Sequence, residues 1–448
     1  MQWCLEQLTP ERQNVYRFYQ LELGEDGTTF RRIDDRLVFH PILAPYLVCD
    51  LIEVYKRTRD ANTLRAARQV ADSALARGKS FIGDSLVFWY TPQDGLSKVP
   101  GTFYSGLTQA WYIRALCKLA AIDSKYAPLI PRVFRSFTIP VDQGGVLLER
   151  SYGWVVEEYP HQPALYTLNG WLTVLRWVAE DRSTLRAMGC PVEDFLARNL
   201  DAVENLLPLY DLPSLYNTRY QLTGFVRLQL VTDLPLDLAV RDLSVSIPGE
   251  GQIQGHLKAA SRGRWHNYIE RTERRMLQLN VVLSMSSAPD PNVVTLEFDA
   301  RRAGVGSWRI ADADYDPLTT ALPTVRWKTM GNFHVASGGN RLALQVPMDS
   351  DNLVAYPTNF LKRIHGPAGL NYNGYHFVHT IDLAVLYKLT GRRSLKEWGE
   401  RWLSYISHWP SLPYLPSSRF SHKHYTGMDF ERSARKFFDA PPLPEQEI

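Results

Sequence analysis

Apolar residues recur at helical spacing through the first half of the chain. From Leu64 to Leu75 they fall at Leu64, Ala67, Val70, Ala71, Ala74 and Leu75, one face of an amphipathic helix. The same spacing returns at Leu107, Ala110, Trp111, Ala115 and Leu119, and again at Leu165, Leu168, Trp171, Leu172, Leu175 and Val178. Pro100-Gly101 and Gly144-Gly145 punctuate these runs. A loose repeat supports the reading. Tyr55 is followed by Thr58 through Leu64, Trp177 by Glu180 through Leu185, and Tyr387 by Thr390 through Leu395; each is an apolar helix end, a polar turn and a new helix. Ser394 and Glu397 have the spacing of a capping box. Repeated hairpins cannot bury their inner faces alone, so they must stack, either into a closed ring or into an open solenoid.

After about residue 225 the period changes to two. Leu243, Val245 and Ile247 alternate with polar neighbours, as do Leu277, Leu279, Val281, Leu283 and Met285, then Val294, Leu296 and Phe298, and finally Leu342, Leu344 and Val346. Turns such as Pro289-Asp290-Pro291 separate them, a pattern that predicts an antiparallel sandwich. Helical periodicity returns near Ile381. The predicted fold is mainly α, an (α/α) toroid of helical hairpins with an inserted antiparallel β-sandwich. Its expected segments are 1–224 (first part of the toroid), 225–355 (the sandwich), 356–412 (last part of the toroid) and 413–448, a tail expected to be disordered from Pro441 onward.

Composition narrows the function classes. A net charge of +3 over 448 residues, with no Lys/Arg run, gives no reason to expect a nucleic-acid partner. No apolar stretch reaches the roughly 18 residues of a membrane span. The opening Met1-Gln2-Trp3-Cys4-Leu5-Glu6 does not read as a secretory leader, so the cytoplasm is the default location. Cys4, Cys49, Cys117 and Cys190 lie far apart with neither zinc spacing nor CxxC, and Cys49 and Cys117 sit in apolar helical patterns as buried thiols. Aromatic residues at 12% are in excess, and they serve either an aromatic core or a surface that stacks on sugar rings.

Four clusters at the edges of helical segments could carry chemistry. Gly101 through Ala110, with Tyr104 and Gln109, leads into a helix and by itself reads as an N-terminal turn. Trp154 through Pro160 holds Glu157, Glu158 and Tyr159 and is followed by Leu168-Asn169-Gly170-Trp171. Its paired carboxylates either favour the positive end of a helix or orient and deprotonate a neighbour. Ser214 through Arg219 puts the Tyr216 phenol and the Arg219 guanidinium within one turn, either as a surface loop or as a carboxylate clamp. Asn373 through His379 runs into Ile381-Asp382-Leu383. His376 and His379 have i, i+3 spacing, but no third ligand is evident, so hydrogen-bonded core histidines are expected and a metal is not.

Together, in this order, the four clusters resemble the C-terminal helical domain of the D-glucuronyl C5-epimerase family, which modifies heparosan and heparan-sulfate precursors. Tyr104 through Gln109 is similar to that family's Tyr-Ser-(Gly/Ala)-Met-Ala-Gln stretch. Glu157 through Pro160 and Leu168 through Gly170 match its Glu-Glu-Tyr-Pro and Leu-Asn-Gly, Leu215 through Arg219 loosely matches its Tyr-Asp-Leu-Arg, and Tyr375 through Ile381 is similar to its Tyr-His-x-x-His-Ile. The resemblance covers roughly residues 35–222 and 365–410. Asn217 stands where the family has Asp, the β insertion separates the third and fourth motifs, and the family's N-terminal β domain has no counterpart here.

The resemblance implies inversion at C5 of a hexuronate residue within a polysaccharide, without an organic cofactor, by a protein that forms a homodimer. Removing the C5 proton builds enediolate charge on the adjacent carboxylate, which a cation or donor must meet. The resemblance assigns Arg219, aided by Tyr159, to that charge. It assigns Tyr375 and Tyr216 as the acid–base pair, with Glu158 as a third proton-transfer or orienting group. Tyr104, Gln109, Asn169, His376 and His379 would then contact the polysaccharide. A free phenol titrates near about 10, so the base requires activation. A polysaccharide lyase abstracts the same proton and then expels the C4 substituent. A glycoside hydrolase needs two carboxylates across one bond. A glycan-binding protein without activity is the reading from a different class.

Overall fold

The computed structural model describes residues 3–97, 99, 101–213, 216–233, 235, 237–257, 267–285, 290–313, 325–346, 364–365, 371–372, 374–411, 436, 438 and 439. The turn residue Pro289, Ser214 and Leu215 of the third cluster, Asn373 of the fourth, and residues 441–448 lie outside the described residues.

Two short helices, Trp3–Glu6 and Pro10–Phe18, precede a short antiparallel meander: β1 (Leu21–Leu23), β2 (Thr29–Ile33) and β3 (Arg36–Phe39). Helix α1 (Leu43–Thr58) ends at Arg59, whose φ of 57° turns the chain out of the helix. Asp60 then caps α2 (Ala61–Leu75), its carboxylate accepting the N–H groups of Asn62 and Thr63 at 3.1 and 3.0 Å. Helix α3 (Gly106–Ala120) is capped by the Ser105 hydroxyl. Apart from the short helices Ile130–Arg135 and Arg182–Ala187, four follow among the described residues: α4 (Leu168–Glu180), α5 (Val192–Tyr210), α6 (Gly374–Thr390) and α7 (Arg393–Tyr405). The apolar positions that predicted three of these helices are inside, among them Val70 and Ala74, Ala110 and Leu119, and Leu172 and Leu175. Neighbouring faces pack α2 on α1, α1 on α3, α3 on α4, α4 on α6 and α6 on α7. The Ser394/Glu397 capping box does not form: the Ser394 hydroxyl donates to Glu204 of α5 at 2.5 Å and Glu397 pairs with Arg393.

The strands correct the predicted fold class. They are β4 (Thr223–Thr232), β5 (Ala239–Ile247), β6 (Gly251–His256), β7 (Asn267–Glu273), β8 (Met276–Ser284), β9 (Asn292–Ala300), β10 (Gly304–Ala313), β11 (Val325–Val335) and β12 (Gly338–Val346). All nine join one sheet in the order β11-β10-β4-β8-β7-β6-β5-β9-β12. Strands β6 and β7 run parallel, Gly255 opposite Asn267 and His256 opposite Tyr268, so the sheet is mixed. Only Ala336 and Ser337 separate the two outer strands, β11 and β12. Three Cα–Cα steps span at most about 11 Å, which brings the sheet's ends together and nearly closes it into a barrel. The chain is therefore a combination of helices with a large mixed sheet, and not a mainly α toroid carrying an antiparallel sandwich. Alternation was read correctly, since Leu243, Val245, Ile247, Leu277, Leu279, Val294, Leu296 and Phe298 are all buried. Period two determines which side chains face inward; it carries no information on which strand lies beside which.

The sheet is fastened to the helices near residue 165. Leu222 donates its N–H to the Leu165 carbonyl at 3.1 Å, and Met285 donates to that of Leu222 at 2.8 Å. Glu250, in the β5–β6 turn, pairs with Arg150 and accepts the Tyr166 hydroxyl at 2.9 Å. Among the described residues no helix is long and apolar enough to cross a membrane.

Candidate active site

The first two clusters meet. The Gly106 N–H, at the start of α3, donates to the Glu157 carbonyl at 3.2 Å. A Cβ at Gly106 would lie 2.6 Å from that oxygen, so the approach requires glycine. The two adjacent carboxylates then part company. Glu157 is fully buried and accepts the N–H groups of Leu165 and Tyr166 at 3.3 and 2.9 Å. Burial pushes its carboxyl up to about 8. Glu158, also buried, lies on the first turn of α4: a Cβ at Gly170 would sit 2.5 Å from its Oε2 and 2.7 Å from its Cβ. The positive end of α4 favours negative charge there.

Phenols surround Glu158. Tyr159 is hydrogen-bonded to its carboxylate. Tyr19, Tyr46, Tyr90 and Tyr220 also feel its charge. Burial first, and the Glu158 carboxylate second, hold the Tyr159 and Tyr220 hydroxyls well above the ordinary phenol range. Tyr220 packs on Tyr375 with ring centroids 4.7 Å apart. On the other flank Tyr90 stacks on Phe103 at 5.2 Å, and Phe103 meets Tyr159 at 6.1 Å. Tyr90 and Tyr220 are buried behind, whereas Tyr19, Tyr46, Tyr159 and Tyr375 remain partly exposed. The arrangement offers protonated phenols to the outside, backed by a carboxylate able to accept a proton.

The third and fourth clusters also meet, but in the core. The Thr218 hydroxyl lies 3.1 Å from His376 Nδ1 and 2.9 Å from His379 Nδ1, and His376 Nε2 lies 2.8 Å from the Trp402 carbonyl. A carbonyl only accepts, so His376 carries its proton on Nε2. Thr218 therefore donates to His376 and accepts from His379. Burial lowers the His376 pKa to about 4, and burial together with the neighbouring His376 holds that of His379 well below the ordinary imidazole value. Among the described residues no group of three or more His, Cys, Asp or Glu could hold a metal ion.

The remaining sequence-derived residues have other surroundings. The Tyr104 hydroxyl donates to the Ser136 carbonyl at 2.8 Å. The Gln109 amide donates to the Leu86 carbonyl and the Ser136 hydroxyl at 2.8 and 2.9 Å. Both side chains are fully buried and tie α3 to the chain around it. Asn169 is buried beside the site with its Oδ1 lacking a hydrogen-bond partner. Arg219 is entirely enclosed, its backbone N–H bonded to the Tyr210 carbonyl at 2.8 Å. Tyr216 has a φ of 47°, and its ring stacks on His408 at 4.2 Å and meets Tyr405 at 5.7 Å, on the α7 side. Of the proposed catalytic trio, the described contacts gather Glu158 and Tyr375 around one set of phenols that includes Tyr220.

Residues 83–232 match the family described as D-glucuronyl C5-epimerase C-terminus. The resemblance read from the motifs is thus borne out over about a third of the chain. The C5-epimerase match contains the first three clusters and ends before the fourth. No curated protein matches the chain. Among solved structures, a GH76 α-mannanase of Bacteroides thetaiotaomicron aligns at 12% identity with a TM-score of 0.31, over 46% of this chain. This chain spans 56% of that structure's length, and a likeness so slight bears on neither fold nor activity.

Sequence reasoning missed Tyr19, Tyr46, Tyr90 and Tyr220, the further phenols around Glu158. Tyr220 directly follows the third cluster and could have been found there. Tyr19 and Tyr46 precede the C5-epimerase match, one at the end of the helix Pro10–Phe18 and the other in α1, where no motif marks them.

Proposed function

We propose that the chain is an epimerase that inverts C5 of hexuronate residues, of the D-glucuronate/L-iduronate type, within a polysaccharide. The observation that carries this reading is the buried Glu158 carboxylate hydrogen-bonded to the partly exposed Tyr159 phenol, inside the stretch that matches the C5-epimerase family. Tyr159 takes the C5 proton as its own passes to Glu158, and the C–H electron pair moves into the enediolate. Tyr375 then gives a proton to C5 from the other face of the ring, and exchange with water restores both groups. Phenols held protonated suit the donor role, and the carboxylate is the group able to accept. Tyr220 backs Tyr375, and in this reading Tyr216 supports the site from the α7 side. Glu157 is engaged by two backbone N–H groups, which leaves Glu158 without a partner for a hydrolase pair.

The test is incubation with heparosan-type and other uronate glycans in deuterated water, followed by proton NMR. Deuterium at C5 of an uncleaved chain is the expected result. An unsaturated, ultraviolet-absorbing product would replace this reading with a lyase, and binding without exchange would replace it with a glycan-binding protein.

A further inference from the structure

An enediolate needs a cation within reach, and the arginine singled out from sequence is out of reach. Arg219 has 0% exposure. Most arginines around the helices already face a carboxylate: Arg12 faces Asp50, Arg114 faces Glu180 and Asp181, and Arg176 faces Glu180 and Asp382. Arg31 differs. It projects from β2 and is partly exposed, and among the described residues its side chain has neither an ion-pair partner nor a hydrogen bond; its Nε is enclosed and unpaired. Its guanidinium lies 5.9 Å from the centroid of the Tyr19 ring. Tyr19 meets His40 edge-on at 5.9 Å, and His40 meets Tyr90 at 5.8 Å. The Tyr19 phenol feels Arg31 and Glu158 together, so cation and carboxylate share one aromatic wall. His40 is 7% exposed and its Nδ1 likewise has no partner. A half-buried guanidinium without an anion is an unmet charge beside an acid–base site, and its planar fork matches a carboxylate.

We infer that Arg31, carried by the N-terminal meander, binds the carboxylate of the hexuronate unit at this site and meets the charge that develops on it. The inference rests on the epimerase reading and adds the substrate-binding cation. The meander thereby becomes part of the site, although it lies outside the stretch that matches the C5-epimerase family.

The test compares a defined uronate oligosaccharide with its carboxyl-reduced, neutral counterpart. Binding to the full chain is measured by calorimetry for the wild type, Arg31→Gln and Arg31→Lys, with C5 exchange followed in parallel. The wild type is expected to prefer the charged ligand by about ten- to a hundred-fold, the range of a charge-assisted hydrogen bond. Arg31→Gln is expected to bind both ligands equally weakly with an unchanged melting temperature, and Arg31→Lys to recover part of the preference. Undiminished preference in Arg31→Gln would overturn the role of Arg31 and leave the epimerase reading standing. A wild type that prefers the uronate yet exchanges no C5 proton would overturn the epimerase reading while keeping Arg31 as the carboxylate site. No preference in the wild type would overturn both.

Discussion

At the scale of single residues the site depends on what is absent at position 170. Replacing a helix glycine by alanine ordinarily gains up to about 1 kcal/mol. At Gly170 the new methyl would meet Glu158 Cβ at 2.7 Å and Cγ at 2.9 Å as well as the carboxylate tip, so rotation of the tip cannot relieve it. Overpacking of this kind costs about 1–3 kcal/mol, which outweighs the propensity gain. Gly170→Ala is therefore expected to lower the melting temperature and to reduce C5 exchange at least tenfold, by displacing Glu158. Tyr375→Phe removes a proton donor and is expected to cost about 10²-fold or more in exchange. Tyr216→Phe, at a ring stacked on His408, should cost less than about tenfold; equal losses in the two variants would return Tyr216 to the acid–base pair. Glu157 gives a pH signature. Its folded-state pKa of about 8 exceeds the ordinary 4.5, so the folded chain holds a proton that the unfolded chain has lost. That contribution is complete below about 4.5 and is lost as the pH rises through about 8, at up to about 1.4 kcal/mol per unit. Melting curves for Glu157→Gln should be flatter over this window than those of the wild type, and parallel curves would contradict the assignment. Glu158 and Tyr375 were legible because each lies in a short motif. Tyr19 and Arg31 were not, because a residue's membership of a site made from several distant segments leaves no trace in its own neighbours.

Between elements, one hydroxyl joins the strand-like segment at Thr218 to α6. Thr218→Val keeps the shape but strands the Nδ1 atoms of both His376 and His379 in a buried setting. Each unmet polar group costs about 1–3 kcal/mol, so a loss of roughly 2–6 kcal/mol is expected in denaturant titration. The helices themselves were readable because burial at α2, α3 and α4 follows the 3.6-residue period. The caps were less so: Asp60 serves as one, while Ser394 reaches sideways to Glu204, a choice made by the neighbouring helix. Strand pairing was unreadable for a related reason. The β6–β7 parallel contact joins residues across an intervening stretch, and nothing in either strand specifies the other.

For the molecule as a whole, Glu250 holds sheet and helices together. Its side chain is 8% exposed and faces Arg150 and the Tyr166 hydroxyl. Removing one member of a buried pair leaves the other charge uncompensated, typically at about 3–5 kcal/mol. Glu250→Ala is expected to destabilise by that order in denaturant titration, and a change under about 1 kcal/mol would show that the seam is held by the backbone contacts at Leu165 and Leu222 instead. The placement of α6 against α4 has a further consequence for biosynthesis. Arg176 meets Asp382 only after the whole sheet has been made. At ribosomal speeds of about 5–20 residues per second, the nascent chain waits roughly ten to forty seconds between the two. During that interval the flank of α4 that later meets Asp382 of α6 stays uncovered, and a chain released early would hold Glu158 yet lack Tyr375, the proton donor of the proposed reaction.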